Sequence, residues 1–174
     1  MSVLADRERD RPAYTAVHRW LHWIVAIAVA GLFVTAFSME GADGTTRDRL
    51  YELHWSLGIL VALLMVARVV SRLLAPPAPL RVPMPAVQKM AAHGVHAALY
   101  AALIVQPLVG YAAKSSFGGA IPVFWLFDVP PLLPVDKARA EWLFEVHEVL
   151  GIAILVLVAV HVSASLWHVL KGDE

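Results

Sequence analysis

The chain has 174 residues, of which 59% are hydrophobic and 16% are charged, and its formal net charge is zero. A soluble domain of this length does not need so much apolar sequence, and a neutral chain gives no sign of a nucleic-acid partner. Eight histidines and no cysteine exclude disulfides, iron–sulfur clusters and thiolate-bound metals within this chain. The metal-ligand chemistry that remains is imidazole.

Four apolar segments are long enough to cross a bilayer as helices. A polar arm with mixed charges, residues 1–14, precedes the first of them, and we expect it to be flexible and cytoplasmic. A signal peptide is less favoured, because the first apolar run is long and holds histidine and arginine at its start. The predicted spans are residues 17–37, 53–74, 90–113 and 147–170. The sequence therefore predicts an all-α integral membrane four-helix bundle, one domain over residues 15–174.

The connections between the spans differ in character. Residues 38–52 read as a short polar loop, and residues 75–85 hold five prolines, which make a stiff connector. The longest connection, 114–146, is rich in proline and aromatic residues, as is typical of a segment at the membrane interface. Asp136 is placed to begin a helix that runs into the fourth span.

Basic residues that flank the spans predict the orientation of the bundle. With both termini in the cytoplasm, the inner side holds nine of them: Arg7, Arg9, Arg11, Arg19, Arg68, Arg72, Arg81, Lys89 and Lys171. The outer side holds five: Arg47, Arg49, Lys114, Lys137 and Arg139. Nine against five, with most acidic residues on the outer side, predicts an N-in/C-in topology.

Histidines at two depths of the bundle are the candidate metal ligands. His54 and His147 head the second and fourth spans and are the only histidines at the outer side. His161 lies roughly 21 Å further along the fourth helix and within about 40° of the same face, and His22 lies at a similar depth in the first. Two axial imidazoles at each depth describe two stacked b-type haems. The alternative for each residue is a histidine bonded to neighbouring carbonyls.

Two glycines and two arginines extend the predicted cofactor site. Gly58 and Gly151 each lie one turn from an outer histidine, where they give room to a flat macrocycle or allow close helix packing. Arg68 and Arg72 lie near the inner depth, where they pair with haem propionates or anchor the helix end.

Three further histidines are candidates for contacts with the cofactor. His93 and His96 share a face of the third span, and His168 lies seven residues beyond His161. They are candidates for contacting propionates, carrying protons or touching a quinone headgroup. Interfacial histidines in water are the alternative, and this is the interpretation that we favour for His18.

The ordered histidines resemble those of the bacterial cytochrome b561 family, small four-helix dihaem cytochromes of the inner membrane. The matching elements are His22-Trp23, His54 with Gly58, the stretch from Met65 to Arg72, Ala92 to His96, Trp142 to His147, His161 and His168. The resemblance covers nearly the whole chain and implies that His22, His54, His147 and His161 ligate iron. The connection around 115–134 departs from the expected pattern.

The resemblance also implies an activity. The family includes a superoxide:ubiquinone oxidoreductase, a superoxide oxidase, so we expect a multi-pass inner-membrane protein that transfers electrons to or from ubiquinone. Related cytochromes instead act as haem-bearing anchors or relays between quinone and a partner dehydrogenase or hydrogenase. A histidine-lined metal or haem transporter is a less favoured third class. Two six-coordinate haems leave no open iron site, so outer-sphere electron transfer is expected.

Lys114, at the outer end of the third span, is the candidate access residue for superoxide. The outer rim is mostly acidic, so a small anion needs a local positive charge near the outer haem. Each of the other four basic residues on that side has an acidic residue within a few positions. The alternative is that Lys114 only extends to the lipid headgroups.

Overall fold

Four long helices dominate the computed structural model, which describes residues 15–76 and 85–171. They are α1 (Ala16–Glu40), α2 (Gly44–Leu74), α3 (Ala86–Phe117) and α4 (Lys137–Lys171). Each is long and apolar enough to cross a membrane. The predicted all-α membrane bundle is confirmed. The arm at 1–14, most of the proline-rich connector with Arg81, and residues 172–174 lie outside the described part of the chain.

The helices extend beyond the predicted spans, most clearly at the loops. α2 begins nine residues before its predicted span and α4 begins ten residues before, so the loop predicted at 38–52 is reduced to residues 41–43. Hydropathy marks only the turns that lie in hydrocarbon, whereas polar helical turns continue into water. Asp136 begins α4 as predicted, since its carboxylate accepts a hydrogen bond of 3.0 Å from the backbone N–H of Arg139.

The helices pack as two hairpins, α1 with α2 and α3 with α4, and α2 contacts α3. The hydrophobic core lies between α1 and α2 and consists of Val25, Ala28, Val29, Val61 and Met65. In α4, by contrast, only Ala140 and Ile154 are buried within the isolated chain. The other apolar side chains of that helix are half-buried or exposed in the isolated chain.

The two ends of the bundle differ, and we name them by what they carry. The loop end holds the short turn at 41–43 and the connection at 118–136. The terminal end is where α1 and α3 begin and where α2 and α4 end. α2 runs antiparallel to α1, because His54 near its start contacts Leu32 and Arg68 near its end contacts His22.

The connection at the loop end contains a β-hairpin that the sequence analysis did not predict. Strand β1 (Ile121–Val123) pairs antiparallel with β2 (Phe127–Val129). The turn between them places Phe124 and Trp125 at φ of 48° and 59°. Aromatic residues are uncommon in this left-handed region, which favours glycine and asparagine. The usual sequence signal for a tight hairpin turn was therefore missing.

Two buried serines attach this connection to the helices. The hydroxyl of Ser56 in α2 contacts the Pro122 carbonyl at 3.1 Å and accepts a hydrogen bond of 2.8 Å from the Phe124 N–H. The hydroxyl of Ser115 in α3 accepts from the backbone N–H groups of residues 132–133 at 2.7 and 2.9 Å. Each serine is 1% exposed. The connection is thus held by specific hydrogen bonds at the loop end.

Candidate functional site

Two histidines from different hairpins meet at the loop end. His54 of α2 and His147 of α4 have ring centroids 6.2 Å apart and ring planes inclined by 75°. These are the two histidines that the sequence paired at the outer depth. We call them the loop-end pair.

The protonation of His54 follows from its partners. Its Nδ1 lies 3.2 Å from the carbonyl oxygen of Leu32, which can only accept, so Nδ1 carries the proton and donates. The hydroxyl of Thr35 lies 3.0 Å from the same nitrogen and donates its own proton to backbone carbonyls of α1. The neutral ring then leaves Nε2 unprotonated, which is the form that ligates a metal.

A second pair lies at the terminal end. His22 of α1 and His161 of α4 have ring centroids 6.2 Å apart and ring planes inclined by 76°. The structure thus brings together the inner pair that the sequence predicted, which we call the terminal-end pair. His96 of α3 lies closer to His161, with ring centroids 5.1 Å apart.

The separation of the rings tests whether each pair fits an iron between them. Two iron–imidazole bonds of about 2 Å on opposite sides of one iron place the ring centroids about 6 Å apart. Both pairs match this distance, whereas the separation between His96 and His161 is shorter. No group of three or more potential metal ligands occurs among residues 15–76 and 85–171. Pairs of imidazoles are what a six-coordinate haem requires, since the macrocycle supplies the other four nitrogens.

His22 carries its proton on the other nitrogen. A guanidinium nitrogen of Arg68 lies 3.1 Å from His22 Nδ1, and a guanidinium can only donate, so Nδ1 accepts. The proton of the neutral ring is then on Nε2. Ligation of a metal through Nε2 and this contact with Arg68 are therefore mutually exclusive.

Two arginines and a tyrosine lie beside the terminal-end pair. The guanidinium carbons of Arg68 and Arg72 each lie 5.3 Å from the centroid of the Tyr100 ring. The hydroxyl of Tyr100 is buried and has no hydrogen-bond partner among the residues that the structure describes. This donor set suits an anionic group such as a propionate. Sequence reasoning found the two arginines by their helical spacing from His54 but not Tyr100, which lies on another helix.

The remaining histidines separate into distinct environments. His93 is exposed, with its Nδ1 2.7 Å from the carbonyl of Lys89 one turn earlier. His168 is half-buried near the end of α4. His18 differs from the expectation of an interfacial residue in water, because it is 5% exposed and its Nε2 lies 3.3 Å from the Ser71 carbonyl of α2.

The two predicted glycines also differ. A Cβ on Gly58 would meet nothing within 4 Å, so this glycine borders open space. A Cβ on Gly151 would lie 3.4 Å from Nε2 of Gln106 in α3, so this glycine takes part in close helix packing. That Gly58 makes room for a macrocycle stays a prediction.

Lys114 lies near the loop end of α3, where it contacts Trp55 of α2. Its Nζ is 4.4 Å from the ring centroid of Trp55, the residue that follows His54. Three of the other predicted outer basic residues form ion pairs: Arg49 with Glu52, Lys137 with Glu141 and Arg139 with Asp136. Arg47 lies over the ring of Tyr51. Lys114 contacts no carboxylate within the described ranges.

Known proteins are similar to this chain over most of its length. A family model described as prokaryotic cytochrome b561 matches residues 13–174. The chain is 33% identical over 161 residues to Cytochrome b561 homolog 2 of Escherichia coli (strain K12), which covers 89% of this chain and 84% of that protein. It is 29% identical over 153 residues to Cytochrome b561 homolog 1 of the same organism, covering 86% and 85% of the two chains. It is 26% identical over 164 residues to a protein of Yersinia pestis named Probable superoxide oxidase CybB, covering 92% of each.

Proposed function

Because the chain belongs to the prokaryotic cytochrome b561 family, which implies b-type haem, we propose that it is a dihaem cytochrome that carries electrons across a bacterial inner membrane. The observation that carries this proposal is the equal separation of the two histidine pairs at opposite ends of the bundle. The pairs are fourteen positions apart along α4, which is roughly 21 Å. One chain would thus hold two redox centres at two depths.

The residues of the chain have separate tasks in this proposal. Haem bound at each pair supplies reversible one-electron chemistry. His54 and His147 hold the loop-end group, and the Leu32 carbonyl keeps the proton of His54 on Nδ1. His22 and His161 hold the other group once Arg68 releases Nδ1 of His22. Arg68, Arg72 and Tyr100 then neutralise and hydrogen-bond the propionates.

The neighbouring histidines and glycines have supporting roles. Gly58 leaves space for the flat ring, while His96, beside His161, lies within reach of the terminal-end group. His93 and His168 lie towards the same end, where a quinone headgroup or a proton donor would be needed. Gly151 contributes by letting α3 approach α4.

We further propose that the reaction is superoxide:ubiquinone oxidoreduction, in an N-in/C-in topology that places the loop end outside. Two superoxide anions each give up one electron and leave as dioxygen, and ubiquinone takes up these two electrons with two protons. The name of the Yersinia pestis relative supports this substrate. Lys114, whose Nζ lies over the ring of Trp55, is the positive group that attracts the anion.

Purified protein without any partner tests the proposal. We expect two haems per chain by a haemochrome assay, with low-spin bis-imidazole spectra, and reduction of both haems by superoxide alone. A content of one haem or none overturns the dihaem proposal. If superoxide leaves the haems oxidised while a quinol reduces them, the superoxide assignment fails and the chain is a relay between quinone and a dehydrogenase or hydrogenase partner.

A further inference from the structure

Helix α3 supplies no ligand of the loop-end pair, yet it forms the surface on which His147 lies. A Cβ built on Gly110 of α3 would be 2.8 Å from Cε1 and 3.0 Å from Nδ1 of the His147 ring. Such a distance does not occur for real Cβ atoms, so any larger residue at this position displaces the ring. Gly94, in the same helix, has nothing within 4 Å of its would-be Cβ.

Gln106, one turn before Gly110, holds the backbone of the same histidine. Its Nε2 donates a hydrogen bond of 2.8 Å to the carbonyl oxygen of His147. Gly151 lies against the same amide, because its would-be Cβ is 3.4 Å from that nitrogen, an ordinary van der Waals distance. Gln106 thus joins α3 to α4 at His147.

Two polar atoms in this contact are buried and have no partner among the described residues. They are Nδ1 of His147 and Oε1 of Gln106. Nδ1 can donate a proton and Oε1 can only accept one, so the two are chemically complementary. On the other side of the pair, His54 already has such an acceptor in the Leu32 carbonyl.

We propose that Gln106 and Gly110 are positioning residues for His147. Gly110 leaves room for the ring, and the amide N–H of Gln106 holds the backbone of His147. Oε1 of Gln106 and Nδ1 of His147 are not hydrogen-bonded to each other in this structure. A reorientation of the two side chains that brings them together would let Oε1 accept the Nδ1 proton, so that Nε2 is presented to the metal. This rests on the proposed ligation of haem by His147. It assigns to α3 a role in the electronic properties of a centre that it does not ligate.

Gly110→Ala tests whether the His147 ring needs the space that Gly110 leaves. Gly94→Ala is the matched control in the same helix. Both changes add one methyl group and gain helix propensity of about 1 kcal/mol. We expect Gly110→Ala to shift the largest electron-paramagnetic g value and the midpoint potential of the loop-end haem, or to lose that haem. Gly94→Ala should leave the loop-end haem at its parent g value and potential.

Gln106→Met tests the acceptor, with Val105→Met as a control that adds the same side chain one position away. Loss of the acceptor makes the imidazole less basic, which favours reduced iron. We expect the potential of the loop-end haem to rise while the terminal-end haem keeps its parent value. A change in stability alone would not produce a shift confined to one haem.

The outcomes separate this inference from the proposed function. If His147→Ala retains the loop-end haem, ligation by His147 is wrong and both proposals fail. If His147→Ala loses that haem but Gln106→Met keeps the parent g values and potential, only the positioning role is overturned. If Gly110→Ala does not fold, Gln106→Met still tests the positioning role.

Discussion

His54 and His22 differ in which ring nitrogen carries the proton. His54 donates from Nδ1 to the Leu32 carbonyl and is ready to ligate through Nε2. His22 accepts at Nδ1 from Arg68, so its Nε2 carries the proton. Binding of haem at the terminal end therefore requires a tautomer change and a movement of Arg68, whereas the His54 side of the loop-end pair needs neither.

Single histidine substitutions should remove one haem at a time. We expect His54→Ala to lose the loop-end haem and keep the other, and His22→Ala to do the reverse, because each pair needs both imidazoles. Haem content and reduced-minus-oxidised spectra of the purified variants measure this. His93→Ala serves as a control, since His93 is exposed and bonds within its own helix. An unchanged haem content in His54→Ala would contradict the assignment of ligands.

The arginine pair should tune the potential of the terminal-end haem. Replacing Arg68 and Arg72 together with Gln removes two positive charges near the proposed propionates, which disfavours the added electron. We expect the potential of that haem to fall more than that of the loop-end haem in a redox titration. Replacing Arg47 and Arg49 with Gln removes the same charge at the other end. If the double variant shifts the potentials of both haems equally, the arginines do not act on the terminal-end propionates and serve only to anchor the helix end.

Lys114 should control the rate at which superoxide arrives. We expect Lys114→Glu to slow haem reduction by superoxide by roughly two- to tenfold at low salt, because local positive charge raises the concentration of an anion. The salt dependence should weaken, since screening acts over about 10 Å at 0.1 M. Reduction by a quinol should not change.

Lys137→Glu is the matched control for this experiment. It reverses the same charge at the loop end on a residue that is paired with Glu141. If Lys114→Glu and its parent are reduced by superoxide equally fast at low ionic strength, the access route is wrong and the relay function gains support.

The attachment of the β-hairpin to the helices depends on a few buried hydrogen bonds. Ser56→Ala removes the hydroxyl that joins α2 to Pro122 and Phe124 and leaves the Phe124 N–H without its partner. Burial of an unpaired N–H costs about 1–3 kcal/mol, so we expect a lower melting temperature and faster proteolysis between 118 and 136. Ser71→Ala is the control, because that hydroxyl donates only within α2. Equal stability of the two variants would show that the hairpin does not depend on Ser56.

The strained turn of the hairpin brings Trp125 back onto α2. Its indole N–H donates to the Glu52 carboxylate, and Arg49 lies 5.3 Å from its ring centroid. An aromatic residue at positive φ persists only where the surroundings hold it. The hairpin, Glu52 and Arg49 are therefore linked on the part of α2 that directly precedes His54.

At the scale of the whole molecule, the orientation of the bundle decides which reactant meets which pair. The excess of basic residues at the terminal end predicts that the loop end faces outward. Since the chain has no cysteine, Asp43→Cys creates a single label site in the turn at 41–43. We expect a membrane-impermeant maleimide to label it in intact spheroplasts, with Lys171→Cys labelled only after lysis. The opposite labelling pattern would show that the loop end faces the cytoplasm, which contradicts the proposed entry of superoxide from outside.

The number of helices and the depths of the histidines were determined by the sequence itself. Hydropathy over about 20 residues identifies a span, and the helical rise of 1.5 Å converts a sequence spacing into a depth. His54 and His147 could thus be matched as partners before any tertiary contact was known, and their rings do meet at 6.2 Å. The same reasoning matched His22 with His161.

The rotation of the helices and the side chains that meet across them depend on packing, which the sequence pattern does not give. His22 and His96 both lie near His161, with ring centroids 6.2 and 5.1 Å away, and spacing along one helix does not give these distances. Three contacts join residues more than 25 positions apart: Gly110 with His147, Tyr100 with Arg68 and Arg72, and Ser56 with the hairpin. Local patterns set helix length and depth, but contacts between distant segments depend on how the helices pack.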